Sequence, residues 1–179
     1  MKILLTGATG YIGQRLLPVL LEKGHEIICC VRDKSRLDLK KYKSDLVTVI
    51  EIDLLERDSL SIIPKDIDAA YYLVHSMSTE ADFNILEKQS AQNFTHAINF
   101  TNAEQVIYLS GIVNDKALSK HLSSRKDVEE ILRKGKTPVT VLRAGIIVGS
   151  GSASFEIIRD LVEKLPVMIT PKWLLTKCQ

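Results

Sequence analysis

Residues 2–13 read KILLTGATGYIG, and this stretch decides the fold. The apolar run Lys2 to Leu5 is typical of a strand, and glycines follow at positions 7, 10 and 13 as a helical pattern begins. In such a turn the glycines allow a tight bend, a close approach of the backbone to a pyrophosphate, and close packing of helix on strand. The first amide N–H groups of the helix would then face the phosphates. The stretch therefore predicts a nucleotide-binding turn, with an ordinary glycine-rich turn as the alternative.

The alternation of apolar runs and helical patterns continues along the chain, which is typical of βαβ units around a parallel sheet. Strands are predicted at Lys2 to Leu5, Glu26 to Val31, Val47 to Ile52, Ala69 to Val74, Gln105 to Leu109 and Val139 to Leu142. Helices are predicted near Tyr11 to Lys23, Ser35 to Tyr42, Asp58 to Ile62, Ala81 to Phe100, Ser119 to Lys134 and Ala153 to Leu165. Pro18, inside the first helix, predicts a kink or a late helix start. The predicted fold class is α/β, a doubly wound parallel sheet (Rossmann fold) with about six strands.

Composition restricts the class of protein. A length of 179 residues argues for one compact domain, since domains have roughly 150 residues. With 24 Lys and Arg against 22 Asp and Glu, the net charge is only +2, which argues against a nucleic-acid partner. No apolar run approaches the roughly 18 residues of a membrane span, and the first residues lack the order of a signal peptide. We therefore expect a cytoplasmic protein without a membrane partner. The histidines and cysteines lack metal-ligand spacing, so no metal site is expected.

The end of the second predicted strand, residues 31–34 (VRDK), bears on which nicotinamide cofactor is bound. It lies about 20 residues beyond the last glycine of the turn, where a dinucleotide fold reads the adenosine ribose. Arg32 suits a 2′-phosphate, because a guanidinium can make a bidentate, charge-assisted contact that Lys34 could supplement. Alternatively, Asp33 could accept a hydrogen bond from the 2′-hydroxyl of NAD. The sequence favours NADP over NAD.

The pattern Thr6-Gly7-x-x-Gly10-x-x-Gly13 resembles that of the extended and atypical short-chain dehydrogenase/reductases, a group that holds nucleotide-sugar epimerases and NmrA-like proteins. Within the group, His75-Ser76-Met77 and residues 143–152 are most similar to the bacterial NmrA-like branch. The resemblance covers nearly the whole chain. Together with Arg32 and Lys34, the cofactor contacts that it implies are Gly7, Thr9, Gly10, Tyr11, Ile12, Gly13, Asp53, Leu54, Leu73, Val74, His75 and Arg125.

The resemblance also implies an active site, but one with a departure from the family pattern. The pair Tyr-x-x-x-Lys is absent, and His121 and Arg125 stand at the matching place, one helical turn apart on one face. An imidazole with an ordinary pKa of about 6.5 can act as a general acid or base at neutral pH. The predicted catalytic residues are Ser110, His121, Arg125 and Asn93. The alternatives are a surface His121, an Arg125 that pairs with Glu129, and a Ser110 that caps a turn.

Two functions of different classes follow. The first is an NADP(H)-dependent oxidoreductase or epimerase-like enzyme that acts on an unknown small molecule. The second is a non-catalytic NmrA-like redox sensor or regulator, which the missing Tyr-x-x-x-Lys pair favours. A flavin reductase of the same fold is a third hypothesis.

The end of the chain has a different character from the rest. Residues 1–165 are predicted to form the NAD(P)-binding domain. Residues 166–175 are mostly apolar, and we expect residues 166–179 to begin a C-terminal substrate-binding part that is otherwise missing here. The same tail could instead contact a partner or a second copy in a homodimer.

Overall fold

The structure, a computed structural model, describes residues 1–42, 45–75, 83–112 and 120–167. Its centre is a sheet formed by β1 (Lys2–Thr6), β2 (Glu26–Val31), β3 (Val47–Glu51), β4 (Ala69–Tyr72), β5 (Gln105–Gly111) and β6 (Val139–Ala144). The strands are parallel and lie in the order β3-β2-β1-β4-β5-β6. This confirms the predicted α/β class, the strand number and the doubly wound sheet.

Four α-helices connect or follow the strands: α1 (Tyr11–Glu22), α2 (Phe83–Ile98), α3 (Lys120–Arg133) and α4 (Ala153–Lys164). Helix α1 begins directly at Tyr11, with Gly10 as its N-cap. Pro18 is included within this helix, so the expected late start is wrong.

The predicted helices near 35–42 and 58–62 are short 3₁₀ segments instead, at Lys34–Arg36, Leu39–Lys41 and Arg57–Ile62. The Asp33 carboxylate accepts from the Ser35 backbone N–H at 2.8 Å, and the Asp38 carboxylate accepts from the Lys40 N–H at 3.1 Å. Aspartates that bond the backbone two residues ahead favour turns over continuous helix. These two aspartates therefore explain why no continuous helix forms near 35–42, and hydrophobic periodicity does not detect such contacts.

Both faces of the central strands are buried, as is usual in parallel sheets. Ile3 and Leu5 of β1 face the layer that contains Leu17 of α1, whereas Leu4 faces the layer that contains α2 and α3. In that second layer the Phe94 ring packs on Tyr72, with ring centroids 4.8 Å apart. Because successive side chains of β1 point to opposite faces, the strand packs against helices on both sides of the sheet.

Helix α4 differs from the other helices because it buries none of its side chains. Its apolar residues remain exposed to solvent, namely Ile157, Ile158, Leu161 and Val162. The part of the tail from 168 to 179 lies outside the described residues. Within the described ranges, no helix is long and apolar enough to cross a membrane.

Phe94 is fully buried in the core, so its truncation should destabilise the protein. Phe94→Ala should lower the free energy of unfolding by about 3 to 5 kcal/mol, because it removes a packed ring and leaves a cavity. Urea unfolding followed by circular dichroism measures this change. The control is Phe100→Ala, whose ring is 63% exposed and should cost less than about 1 kcal/mol. Equal losses for the two variants would contradict this assignment of the core.

Candidate dinucleotide-binding cleft

A cleft of about 340 Å³ follows the carboxyl edge of the sheet. It lies around the end of β1, the point at which the strand order reverses, where ligands bind in doubly wound sheets. The walls come from the loops after β1, β2, β3 and β4 and from the inner faces of α2 and α3. Residues of the predicted site that line it are Gly7, Thr9, Gly10, Arg32, Asp53, Leu54, Leu73, Val74 and His75.

The glycine turn forms the middle of the cleft. Gly7 has φ +71°, and a Cβ there would lie 2.8 Å from the Leu73 carbonyl oxygen, so the turn can approach β4 only without a side chain. The Gly10 N–H donates to the Gly7 carbonyl at 2.9 Å, and a Cβ on Gly13 would overlap that same carbonyl. Gly7 and Gly10 therefore form a backbone cradle open to the cleft, and Gly13 lets α1 pack closely behind it.

The start of α1 adds to this cradle. Its N-cap makes no side-chain hydrogen bond, and its first turn carries no acidic residue that would compete for an anion. Tyr11, Ile12 and Gly13 lie in this turn outside the cleft lining. The Tyr11 ring instead lies against Gly149, and the Arg15 guanidinium lies 4.6 Å from the centre of that ring. Tyr11 therefore lies between the glycine turn and the loop after β6.

The β2 end of the cleft carries two guanidinium groups. Arg32 and Arg36 both line it, with Asp33 between them. One Asp33 oxygen accepts from the Ser35 N–H at 2.8 Å and from the Ser35 hydroxyl at 2.6 Å, and these bonds hold the pKa of Asp33 below its ordinary value. Lys34 lies outside the lining, with its backbone N–H 3.4 Å from a Glu51 oxygen. Sequence reasoning missed Arg36, which the 3₁₀ segment after Asp33 brings to the cleft.

The loop after β3 forms the adjoining wall, and Asn93 holds it in place. The Asn93 amide donates to the Leu54 carbonyl at 2.8 Å and to the Leu55 carbonyl at 3.1 Å, and accepts from Gln89 at 3.1 Å. Asn93 is 4% exposed and lies behind the wall, outside the cleft lining. In the structure Asn93 holds the segment that carries Asp53, and the active-site role that the resemblance implies stays a prediction.

The expected active-site residues lie near the ends of β5 and α3. Ser110 is 2% exposed, and its hydroxyl has no hydrogen-bond partner among the described residues. Tyr108, two residues earlier, donates to the Arg125 carbonyl at 3.3 Å. Arg125 lies outside the cleft lining, with its guanidinium 3.5 Å from the Leu109 carbonyl. His121 is in the first turn of α3, and its side chain falls outside the described part of the chain.

The alternative pairing of Arg125 with Glu129 is wrong. The Glu129 carboxylate instead contacts the Arg143 guanidinium at 2.9 Å and the Arg133 guanidinium at 3.0 Å. Arg143 thereby connects the edge strand β6 to the buried Glu129 of α3, whereas the Arg133 contact lies within α3.

A model of the NmrA-like family matches residues 1–164. The chain belongs to the NmrA-like family. The match includes the glycine turn, all six strands and α4, so the family assignment covers every wall of the cleft.

Relatives of this NmrA-like chain include a phenylcoumaran benzylic ether reductase, PT1, from Pinus taeda, which is 30% identical over 94 residues, or 48% of this chain and 30% of that protein. The Bordetella bronchiseptica enzyme WbmH, solved in complex with NAD+, has a TM-score of 0.71 at 17% identity over 90% of this chain and 62% of that one. The Escherichia coli quinone oxidoreductase QOR2, solved with NADPH, has a TM-score of 0.65 at 19% identity over 80% and 48%. The two structural likenesses show a shared fold. The NmrA-like chain spans less than two thirds of the length of each of these proteins.

The far end of the cleft contains a carboxylate that sequence reasoning missed. Glu87 of α2 lines the cleft and is 9% exposed, and the hydroxyl of the fully buried Ser124 donates to it. No three His, Cys, Asp or Glu side chains in the described ranges are grouped closely enough to hold a metal ion.

The Asn93 contacts predict a local effect on the cleft wall. Asn93→Ala should cost about 1 to 3 kcal/mol of unfolding free energy, because two carbonyls lose their buried donor. It should also speed hydrogen exchange at the Leu55 N–H, which bonds the Asp53 carboxylate at 2.9 Å in this segment. Hydrogen exchange measured by NMR reports both effects, and the exposed neighbour Gln92, changed to Ala, is the control. Unaltered Leu55 exchange in Asn93→Ala would exclude the positioning role.

Proposed function

We propose that this NmrA-like protein binds a nicotinamide dinucleotide across the cleft, with the pyrophosphate in the glycine cradle. The observation that carries the proposal is steric. Gly7 has no side chain where the turn contacts Leu73, and Gly13 has none where α1 contacts the Gly7 carbonyl. Two of the structural neighbours, WbmH and QOR2, were solved with NAD+ and NADPH, which supports this class of ligand. Asp53 and Leu54 would flank the adenine, and Leu73, Val74 and His75 would flank the other half.

We propose NADP(H) rather than NAD(H) as the preferred cofactor. Arg32 and Arg36 bring two guanidinium groups to the β2 end of the cleft. Guanidinium groups suit a 2′-phosphate through charge-assisted bonds. The negative charge of Asp33 opposes a 2′-phosphate, but one of its oxygens already accepts two hydrogen bonds from Ser35. Arg32 and Arg36 together outweigh the charge of Asp33, and this favours the 2′-phosphate of NADP over the 2′-hydroxyl of NAD.

Arg32→Ala tests this preference. It should weaken NADPH binding by about 1.5 to 3 kcal/mol, the worth of a hydrogen bond to a charged group, and leave NADH binding nearly unchanged. Isothermal titration calorimetry with both cofactors measures the difference. Lys34→Ala is the matched control, because Lys34 lies outside the lining and should retain the NADPH preference. If Arg32→Ala weakens both cofactors equally, Arg32 does not read the 2′-phosphate.

As an enzyme, the protein would be an oxidoreductase or epimerase-like catalyst for an unidentified small molecule. The cofactor supplies hydride transfer when bound, and the protein supplies orientation and proton handling. Ser110 suits the proton-handling role, because its buried hydroxyl is unpartnered in the described structure and stands at the carboxyl end of a central strand. His121 remains the proposed acid or base, and Arg125 the group that fixes the ribose.

A redox sensor without turnover is the second candidate. It is favoured by the missing Tyr-x-x-x-Lys pair and by the positions of Asn93 and Arg125 outside the cleft lining. A sensor needs a dinucleotide-binding cleft but no proton relay, so it would not require the Tyr-x-x-x-Lys pair.

His121→Ala distinguishes the two candidates. In an enzyme it should abolish NADPH oxidation against panels of carbonyl and quinone substrates while NADPH binding stays nearly intact. Absorbance of the reduced nicotinamide measures turnover, and calorimetry measures binding. Unchanged turnover would remove His121 from the mechanism, and tight binding without any turnover by the unaltered protein would favour the sensor.

We also propose that residues 1–165 form the cofactor domain and that residues 166–179 begin a substrate-binding part. Support comes from α4, whose apolar side chains have no cover in the described structure. A C-terminal part of this protein or a second copy in a homodimer would cover that face.

A further inference from the structure

A second cavity, of about 340 Å³, lies between the 3₁₀ segment Arg57–Ile62 and the C-terminal half of α2. Small-molecule sites have volumes of about 300 to 1,000 Å³, so this one has room for a small ligand. Leu60, Ile63 and Ala97 give it apolar surface. No residue in the described ranges lines both this cavity and the dinucleotide cleft, so the function proposed above does not use it.

Arg57 brings a positive charge to the cavity, and its observed partner is a neutral ring. The Arg57 Nη2 lies 2.6 Å from the His96 Nε2. A guanidinium only donates hydrogen bonds, so this nitrogen of His96 accepts, and the ring is then neutral with its proton on Nδ1. The contact therefore orients the guanidinium without neutralising it.

Positive charge predominates in the lining. Among the described residues, the charged members of the lining are Arg57, Lys65 and Asp58, two cations against one carboxylate. In the part of the chain that the structure describes, no carboxylate forms an ion pair with either cation. The cavity thus offers cations to an anionic ligand.

An aromatic surface lies beside these cations. The Phe100 ring, just after the end of α2, lines the cavity and is 63% exposed. It meets the His96 ring edge to face, with ring centroids 4.9 Å apart. Aromatic rings pack favourably on other planar apolar groups, so Phe100 offers a contact surface for the body of a ligand.

A buried polar side chain contributes to the same lining. Asn93 is 4% exposed and donates to the Leu54 and Leu55 carbonyls at 2.8 and 3.1 Å. These bonds fix the part of the cavity that Asn93 forms. A preformed surface costs less ordering when a ligand binds.

We propose that this cavity is a binding site for a small aromatic carboxylate, separate from the dinucleotide cleft. The ligand carboxylate accepts hydrogen bonds from Arg57, whose five N–H donors exceed what the His96 contact uses, and Lys65 adds a second positive charge. The aromatic body packs on Phe100 and the apolar residues. Asp58 and the apolar lining disfavour a free phosphate, which carries more negative charge and needs polar partners on every side.

The test is NMR titration of the protein with phenylacetate, its neutral analogue phenylacetamide, and inorganic phosphate, at constant ionic strength. Phenylacetate should produce saturable shifts at the amides of residues 57–65 and 93–101 at concentrations up to about 10 mM. Phenylacetamide and phosphate should bind there at least about tenfold more weakly, because each lacks one half of the recognised chemistry.

Variants assign the two halves of the site. Arg57→Gln should weaken phenylacetate binding about fivefold or more, because it removes the charge-assisted hydrogen bonds. Phe100→Ala should weaken it about threefold or more through loss of the ring contact. Arg159→Gln is the matched control, an exposed arginine of α4 outside the lining, and should change the affinity by less than about twofold. Unaltered spectra away from the cavity check that each variant is folded.

Three outcomes would overturn the inference. One is the absence of saturable phenylacetate shifts at residues 57–65 and 93–101. The second is equal binding of phenylacetamide or of phosphate at these amides, which would remove the requirement for the charge or for the ring. The third is an equal effect of Arg57→Gln and Arg159→Gln. Binding of NADPH is measured separately, so none of these outcomes bears on the proposed dinucleotide site.

Discussion

The close approach of the β1–α1 turn to the end of β4 is the constraint on which the cleft depends. Any side chain at residue 7 would collide with the Leu73 carbonyl, and a Cβ at residue 13 would overlap the Gly7 carbonyl. With these atoms absent, α1 can start at Tyr11 and bury Leu17 against the sheet. The turn then lies between the two halves of the strand order, so the cleft opens on both sides of one backbone segment.

Helix α2 connects the two sides of this cleft. Asn93 holds the wall that carries Asp53, and Glu87, nearer the start of the helix, supplies the negative charge at the other end. Phe94, next to Asn93, anchors the same helix in the core through Tyr72. Packing of one helix therefore positions parts of the wall at both ends of the cleft.

The strands and the glycine turn could be predicted because their signals are local. Parallel strands are buried on both faces and appear as apolar runs, and a turn that excludes Cβ atoms requires glycine at fixed positions. The predicted end of β4 lies two residues beyond the observed one, because Leu73 and Val74 leave the sheet and line the cleft. The helix expected near 35–42 failed because Asp33 and Asp38 bond the backbone ahead of them.

The contacts that sequence reasoning missed join distant parts of the chain. Asn93 meets carbonyls 38 and 39 positions earlier, and Glu87 meets a serine 37 positions later, so no spacing pattern reveals either contact. Arg36 reaches the cleft through a 3₁₀ segment that periodicity assigned to a longer helix. His121 remains a prediction, because its side chain lies outside the described residues.

The central claim is that the glycine cradle holds the pyrophosphate of a nicotinamide dinucleotide. Chemical-shift mapping by NMR during titration with NADPH tests it most directly. The account predicts saturable shifts at the amides of the glycine turn and the first turn of α1, together with residues 53–55 and 73–75. Shifts confined to other surfaces, or no shifts at saturating NADPH, would contradict it.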